Sequence, residues 1–130
     1  MSFNRKRQTE ATLRAAERRQ REDEAPRLKH QVSGLTELCL EIEERVGSGA
    51  SVAARYVRRV VIDSAPALFE IRCGEERCMD GGHDLTHEIM RALGAASTEF
   101  DGEDACYGRL GSSPSNCGRV LRYVARAKYD

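Results

Sequence analysis

Apolar residues change rhythm several times along this chain, and the changes mark out its elements. Between residues 33 and 46, Leu38, Leu40 and Ile42 alternate with Glu37, Glu41 and Glu43, the period of two that a half-buried strand requires. The same stretch offers a competing helical face in Leu35, Leu38, Cys39, Ile42 and Val46, with Gly47 as its stop. Residues 52–62 carry the same ambiguity. There the β-branched Val57, Val60, Val61 and Ile62 tilt the reading toward strand. Gly47-Ser48-Gly49 between the two segments then serves as the turn of a β-hairpin.

Further along, Ser64-Ala65-Pro66 reads as a turn, and Ala67 to Cys73 as a strand that delivers Cys73 to its end. Residues 84–94 carry the clearest helical pattern. Leu85, Ile89, Ala92 and Leu93 form the apolar stripe, Asp84 follows two glycines as an N-cap, and Gly94 fits the C′ position. Residues 99–107 read as a short strand containing an acidic turn, Asp101 to Asp104. A Gly/Ser/Pro loop follows over 108–116, then a closing strand over 120–127. The pattern predicts an α+β fold, a small antiparallel sheet with one principal helix and a Cys/His metal knuckle at one end.

The first thirty residues differ from the rest. They are charged and contain few apolar side chains, with Leu13, Ala11, Ala15 and Ala16 among them. Glu10/Arg14 and Glu17/Arg21 have helical i,i+4 spacing in the favourable order. The expectation is a charged N-terminal arm over 1–30, a single helix or disordered, ending near Pro26. The folded domain is then 31–130, about a hundred residues, a size that folds by burial but gains from a metal or crosslink.

Net charge is zero over the 130 residues, but it is divided. Residues 1–29 hold nine Lys/Arg against five Asp/Glu, and the remainder twelve against sixteen. A basic arm on an acidic body makes residues 1–29 the segment expected to meet nucleic acid or a ribonucleoprotein. A second basic stripe lies in the closing strand, where Arg122, Arg126 and Lys128 would share one face, either as phosphate contacts or as a solvated outer surface. His30, at the end of the arm, is expected to be solvated. No apolar leader follows the opening Met-Ser-Phe-Asn-Arg-Lys-Arg, and no window is long and apolar enough to span a bilayer. The expected compartment is the cytoplasm, without membrane association.

In that compartment thiols stay reduced, and clustered cysteines point to metal or redox chemistry. Cys73, Cys78, His83 and His87 fall within twenty residues, and Cys106 and Cys117 flank the later loop. Thiolate and imidazole are the ligands a tetrahedral Zn²⁺ site uses. Two sets compete. The preferred one is Cys73, Cys78, Cys106 and Cys117. It contains the Cys73-Gly74 and Cys117-Gly118 steps, where glycine can turn backbone N–H groups toward sulfur. In outline it resembles a zinc ribbon, with gaps of C-x4-C and C-x10-C in place of the ribbon's C-x2-C. The other set is Cys73, Cys78, His83 and His87, which resembles a zinc knuckle with a longer first gap and His for the last Cys. It requires His83 to be drawn into the first helical turn, so that both imidazoles share a face. A mixed set, with one His replacing a Cys, is a further arrangement. Cys39 is left over as an ordinary thiol.

The alternatives to zinc are two disulfides, Cys73–Cys78 and Cys106–Cys117, or buried thiols that pack as small hydrophobes. Four protein ligands leave no open position, so zinc here implies a structural role. The leading expectation is therefore a non-catalytic zinc module contacting nucleic acid through its Arg-rich arm. A small metal-dependent hydrolase is the second, with His83 and His87 holding a metal and Asp84 as general base. It departs from H-E-x-x-H by having Asp after the first His. A thiol-based redox sensor is the third.

Overall fold

The computed structural model describes residues 2–46, 51–78, 81–111 and 117–130. Helix α1 spans Ser2–Glu24 and the one-turn α2 spans Leu28–Gln31. Strands β1 (Leu35–Val46) and β2 (Val52–Val60) follow, then β3 (Glu70–Arg72) and β4 (Gly82–Asp84). Helix α3 (Thr86–Gly94), β5 (Glu99–Ala105) and β6 (Arg119–Tyr129) complete the chain. This is the expected α+β architecture. No helix among the described residues is long and apolar enough to cross a membrane.

Four strands form one antiparallel sheet in the order β2-β1-β6-β5, and β3 pairs with β4 in a second, small sheet. The alternation in β1 decides between helix and strand. Leu38, Leu40, Ile42 and Glu44 are buried while Glu37 and Glu41 face solvent. The competing helical face fails because Val46 is exposed and Cys39 only partly covered. Strand β1 pairs with β2 as a hairpin, Leu38 opposite Val60 and Glu44 opposite Ala54. The expected Gly47-Ser48-Gly49 turn lies outside the described residues.

The core lies on one face of the large sheet. Leu38, Leu40 and Ile42 meet Leu121, Ala125 and Ala127 of β6, and Ile89 and Leu93 of α3 join them with Phe69, Ile71 and Leu85. Leu28 and Val32 belong to the same cluster, and Leu28 is fully buried. The core thus begins before residue 30, within the segment expected to contribute nothing to it. Backbone bonds fix this start: Leu28 N–H donates to the Ala65 carbonyl at 2.9 Å and Ala67 N–H to Pro26 at 2.7 Å. Before that point, α1 is the charged single helix expected of the arm. Its Arg21 grips Glu70 of β3 through two nitrogens, at 2.8 and 2.7 Å.

Three local expectations are corrected. The 101–104 segment is not a turn but the middle of β5, paired along its length with β6, where Glu103 stands opposite Arg122 and bonds it at 3.0 Å. Asp84 ends β4 rather than capping the helix; Leu85 holds the N-cap position, and the Asp84 carboxylate accepts from Thr86 N–H at 3.1 Å. Gly94 is the last helical residue. The left-handed position falls on Ala96, φ 58°, with Ser97 N–H bonded to Ala92 O and Ala96 N–H to Leu93 O, a Schellman closure without glycine.

The basic stripe of β6 is present but occupied. Arg122 pairs with Glu103, Arg126 with Glu41 and Lys128 with Glu37, all at 3.0–3.2 Å on the solvent face. Neutralised in this way, it is a cross-strand ladder of exposed ion pairs.

Candidate metal centre

Cys73 follows β3, Cys78 lies in the β3–β4 loop, Cys106 follows β5 and Cys117 precedes β6. Each loop therefore starts where a strand stops, and the two loops bind one another. Cys78 and Leu110 form an antiparallel bridge, and Gly111 N–H donates to Arg77 O at 2.8 Å. Cys106 N–H donates to Arg119 O at 2.7 Å, and Cys117 N–H to Gly108 O at 2.7 Å.

All four Sγ atoms lie within 4.8 Å of one another, and among the described residues this is the group that could hold a metal ion. The closest separations are 3.5 Å for Cys73–Cys117 and 3.7 Å for Cys78–Cys106. Four thiolates placed tetrahedrally at about 2.3 Å from a Zn²⁺ stand about 3.8 Å apart, so the donor set fits such an ion in number, type and spacing. The closest pairs run between the loops, whereas sequence proximity suggested Cys73 with Cys78 and Cys106 with Cys117. All five cysteines are free thiols.

Packing around the sulfurs is tight enough to dictate two residues. A Cβ on Gly81 would collide with the sulfurs of Cys106 and Cys78, and one on Gly108 would sit 2.5 Å from Cys78 Sγ and 2.6 Å from Gly81 Cα. The glycines singled out in the sequence do different work. Gly74 sends its N–H to the buried Glu44 carboxylate at 3.0 Å, not to sulfur. Gly118 takes φ 69° with open space around it. The amides that reach sulfur belong to Glu75 for Cys73, Gly81 for Cys78, and Gly108 and Gly82 for Cys106.

These contacts divide the thiols electrostatically. Burial pushes Cys73 well above the usual thiol range, the Glu75 N–H opposes the rise, and the Cys117 and Cys106 thiols add to it. Burial and Cys106 likewise raise Cys78. Cys106 is held below the usual range. Burial disfavours its charge, but the Gly108 N–H, the Cys78 and Cys73 thiols and the Gly82 N–H outweigh it. Burial thus works against a negative charge on Cys73 and Cys78, while the amides and thiols around Cys106 favour one there. Two carboxylates hold the first loop: the buried Glu44, through the Gly74 N–H, and the loop's own Glu75, which meets Arg119 at 3.4 Å and Arg77 at 3.3 Å.

The histidines lie outside the four-sulfur group. His83 is in β4, not in a first helical turn, so it shares no helix face with His87, which is exposed on α3. The reason is the β3–β4 pairing, which keeps His83 opposite Ile71. His83 is buried, its Nδ1 lies 2.7 Å from Asp104 Oδ2, and its Nε2 has no partner among the described residues. Asp84, His83 and His87 form no metal-binding group among the described residues. Cys39 is half-buried on β1, away from the other thiols' group, and His30 is exposed on α2. Sequence reasoning missed Gly81, Gly108, Glu44 and Asp104. Only Gly81 carried a signal, as half of a Gly-Gly step beside the cluster.

Compared with known proteins, the chain matches no family model, no curated protein and no solved structure.

Proposed function

We propose that this chain is a non-catalytic module in which Cys73, Cys78, Cys106 and Cys117 bind one structural Zn²⁺, and that its Arg-rich arm contacts nucleic acid. The observation carrying the first half is the four-sulfur cluster with separations of 3.5 and 3.7 Å across its two loops. Thiolates select a soft tetrahedral ion, and four of them leave no position for substrate or water. The second half rests on charge. With the β6 stripe neutralised by Glu37, Glu41 and Glu103, the excess cation of the molecule is in residues 1–29. There α1 runs beside the first cysteine loop, across a cleft of about 580 Å³ lined by Arg14, Arg18, Arg72 and Cys73.

Mass spectrometry of untagged protein, with thiol titration before and after chelation, tests the metal. The expected result is one zinc per chain and four thiols that react only after chelation. Five reactive thiols and no metal would remove the reading. Fluorescence anisotropy with a short single-stranded RNA tests the arm. Affinity should fall steeply with salt, and replacing Arg14, Arg18 and Arg19 by Gln should flatten the log–log slope by about 0.7–0.9 per lost phosphate contact. Binding indifferent to salt would count against the arm. Because Leu28 is buried, these substitutions test the arm better than a truncation at residue 29.

A further inference from the structure

The large sheet ends in two strands of opposite charge. β2 contains Arg55, Arg58 and Arg59 and no acid; β5 contains Glu99, Asp101, Glu103 and Asp104 and no base. Among the described residues each pairs on one side only, β2 with β1 and β5 with β6. An unpaired edge is a template for another strand. The β2 edge is also where exposed apolar surface gathers. Five of the seven large exposed hydrophobics among the described residues, Val46, Val52, Tyr56, Val57 and Val61, lie on β2 or beside it.

The register across the four strands makes the match specific. One row reads Arg59, Cys39, Arg126, Glu99, and the row four residues along reads Arg55, Glu43, Arg122, Glu103. The second is an alternating ladder, with ion pairs Arg55–Glu43 at 3.1 Å and Arg122–Glu103 at 3.0 Å. It ends on a carboxylate at β5 and begins on a guanidinium at β2, so a second copy set beside the first continues the alternation. Strand direction continues too. In an all-antiparallel sheet of four strands the two edge strands run in opposite directions, so β5 of one copy meets β2 of the next antiparallel. Hydrogen-bonded and non-bonded pairs alternate along a row, and after an even number of strands the outward N–H and C=O groups of both edges fall in step. The bulges lie at Glu44/Arg45 and Leu35/Glu37, outside these rows.

From this we infer that copies of this chain associate head to tail, β2 of one against β5 of the next. Arg59 stands opposite Glu99, Val57 opposite Asp101 and Arg55 opposite Glu103. Like edges repel, which selects against a two-fold dimer through either strand. A heterologous contact closes into a ring or grows as a chain. Arg59 and Glu99 have no ion pair within the chain among the described residues, so both charges are available to the neighbour. This inference does not depend on what the thiols hold.

The test is sedimentation velocity of the untagged full chain over a dilution series. The weight-average mass should rise to at least about twice that of the monomer and continue past a dimer as concentration increases. Association should weaken at 1 M salt, where the screening length is about 3 Å. Val57→Glu with Arg59→Glu, and separately Glu99→Arg with Asp101→Arg, should each give monomers with an unchanged circular dichroism spectrum. Mixing the two variants should restore association, because each then offers the edge that the other requires. A wild-type chain that stays monomeric throughout would overturn the inference. So would a mass that stops at two, or association that persists in both variants alone.

Discussion

The large sheet and the cysteine loops are held together by different means. In the sheet, β1 and β6 are bonded along their length, from Glu37 opposite Lys128 to Val46 opposite Arg119, over a continuous layer of Leu, Ile and Ala. Its stability is spread over many small burial terms. The first loop rests on strands of three residues each, the second joins β5 to β6 at the end of the sheet, and four thiols converge between them. Two glycines there have no room for a methyl group. One region tolerates loss by degrees; the other depends on a few atoms at fixed distances.

The strongest way to break the comparison is to remove one ligand. On the proposed zinc reading, Cys106→Ser should take the metal content from one per chain to none. Hydrogen exchange should then accelerate over 70–84 and 106–118 while residues 37–44 keep most of their protection. Binding free energy at structural zinc sites is about 10–16 kcal/mol, far more than three-residue strands supply. Metal retention should also weaken as pH falls, because protons compete for the thiolates. Loss of protection throughout the sheet would show that the two regions form one unit.

The converse change is Leu40→Ala, at a fully buried position in β1. Chemical denaturation should register a loss of about 2–5 kcal/mol, with zinc stoichiometry unchanged. Gly81→Ala and Gly108→Ala sharpen the contrast at the cysteine site. Each forces a methyl group into the sulfur cluster, a local overpacking of about 1–3 kcal/mol. A competitive chelator should detect weaker zinc binding, and the secondary structure should persist. The smallest effect belongs to neither region and runs the other way. Ala96→Gly relieves a left-handed residue at the end of α3 and should raise the melting temperature, by roughly 1 kcal/mol of stability.

The sequence read most clearly where period and partner were local. The alternation of Leu38, Leu40 and Ile42 identified a strand because both faces of β1 obey it. The four cysteines were legible as one donor set because few other roles gather four thiols in a small domain. What stayed hidden depended on distant partners. Glu44 falls on the inward face of β1 by the same alternation, but its partner there, the Gly74 N–H thirty residues away, leaves no sign in the sequence. Asp101 to Asp104 read as a turn by composition, and only the basic strand beside it made it β5. His83 looked like a ligand through its proximity to Cys78 in sequence, whereas pairing with β3 turned it toward Asp104.

The crosswise approach of the sulfurs also bears on the order of assembly. Strands β1 and β6 must find one another across a long chain separation, the kind of contact that slows folding most. The Cys73–Cys117 and Cys78–Cys106 approaches span 44 and 28 residues, and Cys117 lies two positions before β6. Metal captured early would draw β6 toward the middle of the chain before its search for β1 began. Zinc present at the start of refolding should therefore speed the formation of the sheet, whereas zinc added afterwards should only close the loops.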